Sequence, residues 1–234
     1  MTSPAYEGVG TVDRRANMST PLTPTCPATV NPKDLLLAWI TNRSNASEPY
    51  TLTGVGGWVQ RFAFVGGGPQ IIVQYRIADG TEGGQTVTCT TTGGSPAHRA
   101  AILRFSGVDV GGPIFENIAT GTVIAKTVLT GIDVTSNAAD RLAVNLLASN
   151  GAQSAIGDLS GMTGGTWDEV FFSATDENPT CSMQVANLPG AGKITGGSVS
   201  GLNNANFRMV GFSLIGVSPE QVGRHDPMRS ILAM

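Results

Sequence analysis

An all-β, jelly-roll-like antiparallel β-sandwich with an internal pseudo-repeat and extended terminal arms is the fold class this sequence predicts, and three observations predict it. Apolar and polar residues alternate with a period of two from end to end, clusters of turn residues punctuate that alternation, and the second half of the chain restates the order of the first. Helical periodicity is nearly absent. The 31 Gly and 13 Pro supply the turns, and 41% hydrophobic residues in a 234-residue chain supply a core. Charged residues are only 13%, about half of the ~25% of an average domain. Low charge with regularly spaced apolar runs is the opposite of a disordered composition.

The elements follow in order. A short leading strand is expected near Gly10 to Arg14. Leu35 to Ile40 is apolar on both alternating faces, which suits a central strand covered on both sides. Trp58 to Val65 places Trp58, Phe62 and Phe64 on one face. Ile71 to Ala78 alternates in the same way, and Asp79-Gly80 supplies a reversal into a hairpin with Gln85 to Thr92. Ala100 to Val108 closes the first set. The second set comprises Gly121 to Lys126, Arg141 to Ala148, Trp167 to Ala174, Cys181 to Asn187, Gly197 to Ser200 and Phe207 to Val217.

The repeat ties the sets together. Trp58 recurs as Trp167, Phe62 as Phe171, Arg99 as Arg208, Gly107 as Gly216 and Val108 as Val217, each 109 residues on. Asp34 matches Asp140 at 106, and Gly10-Thr11-Val12 is echoed by Gly121-Thr122-Val123. Either each half forms its own sandwich, or the halves interleave into one body about a pseudo-twofold axis. The doubly apolar Leu35–Ile40 run favours one body: a single sandwich over 1–218 made of two similar halves (about 1–112 and 113–218), then a docking arm over 219–234.

Composition also excludes function classes. A net charge of -3 without a Lys/Arg cluster argues against nucleic acid as a partner. No run approaches the ~20 apolar residues of a membrane span, and the N-terminus lacks the charged and apolar regions of a secretory signal. Cys26, Cys89 and Cys181 occupy unequal places in the halves and are expected as reduced thiols.

Catalytic signals are thin. His98 and His225 have no nucleophile-elbow motif near them, and with three scattered Cys they give no zinc spacing. Pro189 to Lys193 departs from a phosphate-binding loop at Asn187 and Ile194, so a Gly-rich turn is expected. Asp168-Glu169 and Asp176-Glu177 act as a glycosidase pair only if folding sets two carboxylates ~5–10 Å apart. Asp79 to Glu82 lacks the spaced ligands of a calcium loop. Asp34 and Asp140 read as turn-bonding residues, and Arg99 and Arg208 as half-buried or buried arginines serving loop carbonyls or an inter-subunit ion pair. Trp58 and Trp167 read as core anchors. No catalytic residue, cofactor or metal is therefore expected. Met228, Ile231, Leu232 and Met234 form an apolar cluster near the end of the sequence, a candidate partner-docking element.

The order of Asp34 to Ile40, Gly56 to Trp58, Tyr75 to Gly84 (YRIADGTEGG), Thr86 to Thr92 and Ala100 to Asp109 resembles a recurring β-sandwich pattern of phage virion proteins and some bacterial surface proteins. The likeness covers the first half well. In the second, Arg141 interrupts the apolar run and Leu188-Pro189-Gly190 replaces the DGTEGG turn. The resemblance implies a jelly-roll-like structural component of a tailed-phage particle: a capsid decoration (cement), head-fibre or tail accessory protein. Its expected partners are the major capsid protein or tail subunits, and copies of itself in a many-copy assembly. Synthesis in the host bacterial cytoplasm and location in the virion follow from the same likeness. The alternative is a tail, baseplate or fibre component that binds a carbohydrate receptor, stacking sugar on Trp58, Tyr50 or Tyr6. A third possibility, a sandwich glycoside hydrolase or lyase, requires the carboxylate pair above.

Overall fold

The computed structural model describes residues 3–43, 49–64, 69–92, 97–153, 156–157, 159–160, 163–173, 179–188 and 190–217. Among these the chain is all-β. The first half supplies β1 (Ala5–Val9), β2 (Asp13–Arg15), β3 (Leu35–Asn42), β4 (Tyr50–Thr53), β5 (Val59–Phe64), β6 (Gln70–Ile77), β7 (Thr88–Thr91) and β8 (His98–Ser106). The second supplies β9 (Phe115–Lys126), β10 (Leu129–Thr130), β11 (Val134–Ser136), β12 (Arg141–Ser149), β13 (Asp168–Ser173), β14 (Thr180–Leu188), β15 (Gly192–Ile194), β16 (Ser198–Val199) and β17 (Ala205–Ile215).

Each half builds one large antiparallel sheet. The first runs β1-β8-β3-β6-β5, with β2 also on β8, and the second runs β13-β14-β12-β17-β9. Read from the opposite edge, the second order is the first repeated. The strands do not interleave between the sheets; the sheets meet face to face. Leu35, Leu37, Trp39, Val73, Leu103 and Phe105 from one side share a buried core with Leu142, Val144, Leu146, Met183, Phe212 and Leu214 from the other. Aromatic rings cross the interface: Phe62 lies 5.9 Å from Phe212, Tyr75 5.3 Å from Phe115, and Trp39 5.9 Å from Phe171.

The outer faces are covered as well, which explains why the central strands are apolar on both sides. Leu36, Ala38 and Ile40 point away from the shared core and pack under Met18, Leu22, Cys26, Tyr50, Val87 and Cys89, the layer carrying the β4-β7 pair. On the other sheet Leu147, Phe207 and Met209 pack under Leu129, Ile156 and Leu202, while Ala143 and Ala186 pack under Val134, Leu159, Trp167 and Ile194. Four layers result. Two of them are the thin covers.

Three sequence expectations change at this point. The Asp79-Gly80 reversal does not fold β6 and β7 into a hairpin, because β6 pairs with β3 and β5 whereas β7 pairs with β4. The buried Glu82 is responsible: its carboxylate accepts the N–H groups of Asp79 (2.9 Å) and Gly80 (3.0 Å) and pairs with Arg76, so the turn carries the chain off the sheet into the cover. The match of Asp34 with Asp140 is also one residue out of register. Leu35 stands opposite Phe105 and Leu142 opposite Leu214; those partners are 109 apart, so Leu35 and Leu142, 107 apart, are equivalent. Asp34 therefore corresponds to Arg141, and Asp140 to Lys33. The backbone agrees, since Lys33 (φ 73°) and Asp140 (φ 58°) are both left-handed. Gly10-Thr11-Val12, likewise, lies between β1 and β2, whereas its echo at Gly121 lies within β9.

Irregularity is confined to the sheet margins. Register shifts occur at Tyr6/Gly8 in β1, Gln60/Phe62 in β5, Glu169/Phe171 in β13, and at two places where β9 meets β17. The ladders of β3 and β12 with both of their neighbours run without a break. The shifts in β5 and β13 fall at equivalent positions of the repeat.

One of the buried polar side chains stands apart from the bonded ones such as Asn42, Gln70 and Gln74. Asn145, 0% exposed, stands where the first half has Ala38, and neither its Oδ1 nor its Nδ2 has a hydrogen-bond partner. Because an unsatisfied buried amide costs ~1–3 kcal/mol, Asn145→Ala is expected to leave stability unchanged or raise it by about 1 kcal/mol in urea denaturation. A loss of about 2 kcal/mol or more shows that the amide is satisfied.

Candidate functional site

The strand ends of the two halves meet at one end of the sandwich. Val108 and Gly216 form an isolated bridge, Asp109 N–H donates to Ile215 O (2.8 Å), and Val217 N–H donates to Gly107 O (3.3 Å). The glycines and valines that recur 109 residues apart thus bond to each other's strands across the pseudo-symmetric junction. Left-handed Gly107 (φ 66°) lets the chain turn there.

Two hollows flank the junction. The larger, about 600 Å³, is lined by Pro32, Lys33, Asp34, Gly107, Val108, Asp109, Val110, Gly111 and Val217. The smaller, about 260 Å³, shares Asp109 and Val217 and adds the stretch from Ala138 to Arg141. Pro32-Lys33-Asp34 and Ala139-Asp140-Arg141 are the equivalent loops of the repeat, so the hollows are related to each other. The larger one is held open by a built wall. Asp34 accepts Asn31 N–H (2.7 Å) and Arg104 Nε (2.5 Å), Lys33 N–H donates to Ala78 O (2.8 Å), and Asp109 Oδ1 accepts Gly111 N–H (2.9 Å). In the second half the charges exchange places: Arg141 Nε donates to Glu116 Oε1 (3.0 Å) on the edge strand.

The residues that looked chemically interesting are occupied elsewhere. His98, 0% exposed, takes part in a buried chain under the first cover. Its Nδ1 lies 3.1 Å from the Tyr50 hydroxyl and its Nε2 3.0 Å from Thr20 O; a carbonyl can only accept, so Nε2 carries the proton and Nδ1 accepts from Tyr50. Asn42 Nδ2 donates to Gln70 Oε1 (2.6 Å) and to Tyr50 Oη (3.4 Å), extending the chain across the sheet. Burial holds the His98 pKa below its ordinary value, the Thr20 carbonyl and Asp13 opposing that shift and Arg15 adding to it. Folded His98 therefore binds a proton less readily than unfolded His98. This contribution is complete above the unfolded pKa of ~6.5 and is lost as pH falls from there towards the folded value. Thermal midpoints are expected to drop across that window, and His98→Gln is expected to flatten the drop; an unchanged slope refutes the assignment.

Glu169 accepts Gly157 N–H (3.1 Å) and the Ser182 hydroxyl, its neighbour Asp168 is exposed, and Asp176-Glu177 lies outside the described residues. Lys193 lies on β15 and pairs with Asp133 at 2.8 Å. Arg208 Nε donates to Pro69 O (2.8 Å) and Arg99 bonds Cys181, so each arginine serves the opposite half. Cys26, Cys89 and Cys181 are free and buried, with burial as the main cause raising the first and third thiols to about 11 and the second to about 12. Among the described residues no cluster of three or more His, Cys, Asp or Glu could hold a metal, and no helix is long and apolar enough to cross a membrane.

The aromatic residues of the sugar-stacking alternative do not share one surface. Tyr50 is buried at 5% exposure, which closes its ring to a sugar, and Trp58 is half-buried against the same outer cluster. Tyr6 packs on the central core, 5.8 Å from Phe105. Trp167, 1% exposed, donates Nε1–H to Thr195 O (3.0 Å). Met228, Ile231, Leu232 and Met234 lie outside the described residues. The hollow itself was not foreseen; the recurrence of Gly-Val at 107–108 and 216–217 was the available signal. No protein-family model, curated protein or solved structure matches the chain.

Proposed function

We propose that this protein is a non-enzymatic structural component of a tailed-phage particle, of the capsid decoration type, binding neighbouring virion subunits through one end of its sandwich and through residues 219–234. The observation that carries the reading is the division of labour within the molecule. The polar groups a catalyst would use, His98, Glu82, Asp34 and Glu169, are bonded within the sheets, covers and turns, whereas the recessed surface lies beside Val217, the last described residue. A doubled sheet with both outer faces covered is a stiff spacer, and stiffness keeps a bridge between subunits from losing its alignment.

Deletion of 219–234 tests the reading. The shortened protein is expected to remain folded and to lose retention on virion shells prepared without it, measured by co-sedimentation. Full occupancy by the shortened protein rejects the role of the arm, and a saccharide-dependent signal on a glycan array supports a receptor-binding component in its place.

A further inference from the structure

We propose that the recess beside the edge strand β5, formed around Arg61, Tyr75 and Phe115, is a carboxylate-recognition site that takes an acidic side chain of a protein partner. It shares no lining residue with the two hollows at the strand-end junction. The sheet geometry singles out Arg61. Val59 stands opposite Tyr75, Gln60 opposite Gln74 and Phe62 opposite Val73, so Arg61 is the extra residue of the register shift in β5. A bulge of this kind re-aims the side chain it carries. The repeat supplies the comparison, because the extra residue of the equivalent shift in β13 is Val170, which packs against the central core. A valine therefore satisfies the fold at this position. The exposed arginine of the first half is a departure that sheet packing does not require.

The Arg61 guanidinium is positioned but not consumed. Its Cζ lies 5.5 Å from the centre of the Phe115 ring, within reach of a cation–π contact. Among the described residues no carboxylate pairs with it and no hydrogen bond employs its donors. Held over the ring, the forked N–H donors lose less freedom when a carboxylate arrives. Tyr75, whose ring lies 5.3 Å from that of Phe115, adds a hydroxyl with no partner among the described residues. The carboxylate beside Gly112, that of Asp109, accepts Gly111 N–H (2.9 Å) and does not pair with Arg61. Size and surroundings select the occupant. A volume of about 230 Å³ is below the ~300–1,000 Å³ of clefts that enclose whole small molecules, and it suits a single side chain. Pro113 and the half-buried Ile114 line the same recess, and Val59, 52% exposed, stands across from Tyr75. Arginine and tyrosine set among apolar residues make up the centre of a protein–protein contact. A sugar acid needs further polar side chains around its hydroxyls, and Pro113, Ile114 and Phe115 supply none.

Titration of the isotope-labelled full-length protein, followed by nuclear magnetic resonance at the Arg61 Nε–H and the Gly112 amide, tests the site. The probes are acetyl-Leu-Glu-Leu-amide, its neutral counterpart acetyl-Leu-Gln-Leu-amide, and glucuronate. The glutamate peptide is expected to shift both signals saturably and to bind about tenfold or more tightly than the glutamine peptide, the difference made by one charge-assisted contact. Arg61→Val, which installs the residue of the equivalent position, is expected to erase that preference while leaving the thermal midpoint nearly unchanged, and Tyr75→Phe is expected to weaken the glutamate peptide a few-fold. Equal affinity for the two peptides overturns the site, as does a preference that survives in Arg61→Val. The peptide pair decides the matter in the unaltered chain even where a variant does not fold. Saturable binding of glucuronate without binding of the glutamate peptide overturns the protein-partner assignment in favour of an acidic sugar, and the absence of a shift with all three probes overturns carboxylate recognition altogether. None of these measurements uses virion shells, so their outcome is independent of the particle reading.

Discussion

Asp34→Ala is expected to destabilise the protein by about 3–5 kcal/mol, the typical cost of removing one partner of a buried ion pair. The side chains of Asp34 and Arg104 are only 6% and 10% exposed, and the pair is close, with Nε to Oδ2 at 2.5 Å. Removing the carboxylate leaves a guanidinium shut away from water and releases Asn31 N–H, which Asp34 also holds. The wall of the larger hollow loosens with it. Urea denaturation gives the loss, and Asp34→Ala/Arg104→Leu is expected to recover part of it, because the second change removes the stranded charge. A loss below about 1 kcal/mol places the pair with weak surface bridges instead.

Phe212→Ala is expected to cost about 3–5 kcal/mol, the cost of truncating a fully buried aromatic residue. Phe212 is 0% exposed and its ring lies 5.9 Å from Phe62 on the facing sheet and 5.4 Å from Phe115 on its own. The cavity therefore opens at the joint between the two halves, where Phe115 also meets Tyr75. For a chain of this size a loss of that order lowers the thermal midpoint by roughly 10 °C. Phe212→Leu, which keeps most of the volume, is expected to lose less than about 1.5 kcal/mol. Equal losses for the two variants rule out a packing origin.

The strands of the large sheets were legible because alternation reports a buried face and a run apolar on both faces reports burial on both sides: β3, β6, β8, β12, β14 and β17 all fall on runs recognisable in the sequence. The covers were not. Strands β10, β11, β15 and β16 are two or three residues long, and β4 pairs with β7 across 34 or more intervening positions, so no local pattern announces them. The Asp79-Gly80 turn misled for a related reason, since Glu82, three residues beyond Asp79, decides where the chain goes. The one-residue error at Asp34 arose because Lys33 and Asp140 share a backbone conformation but not a side chain. Identity in sequence pointed one way and the ladder another. The hollow assembles segments from near residues 32, 109 and 217, and that juxtaposition exists only once the sheets have met.

The register shifts at the sheet margins bear on how such a molecule behaves when many copies are crowded together. Each outermost strand of the two large sheets presents backbone donors and acceptors that another chain could copy, yet each is bent out of step with a straight strand. Growth by adding sheet to sheet is thereby blocked, and concentrated solutions are expected to stay free of cross-β fibres. Neighbours must then recognise one another by shape and side chains at discrete places. A finite, countable association is favoured over an open-ended one.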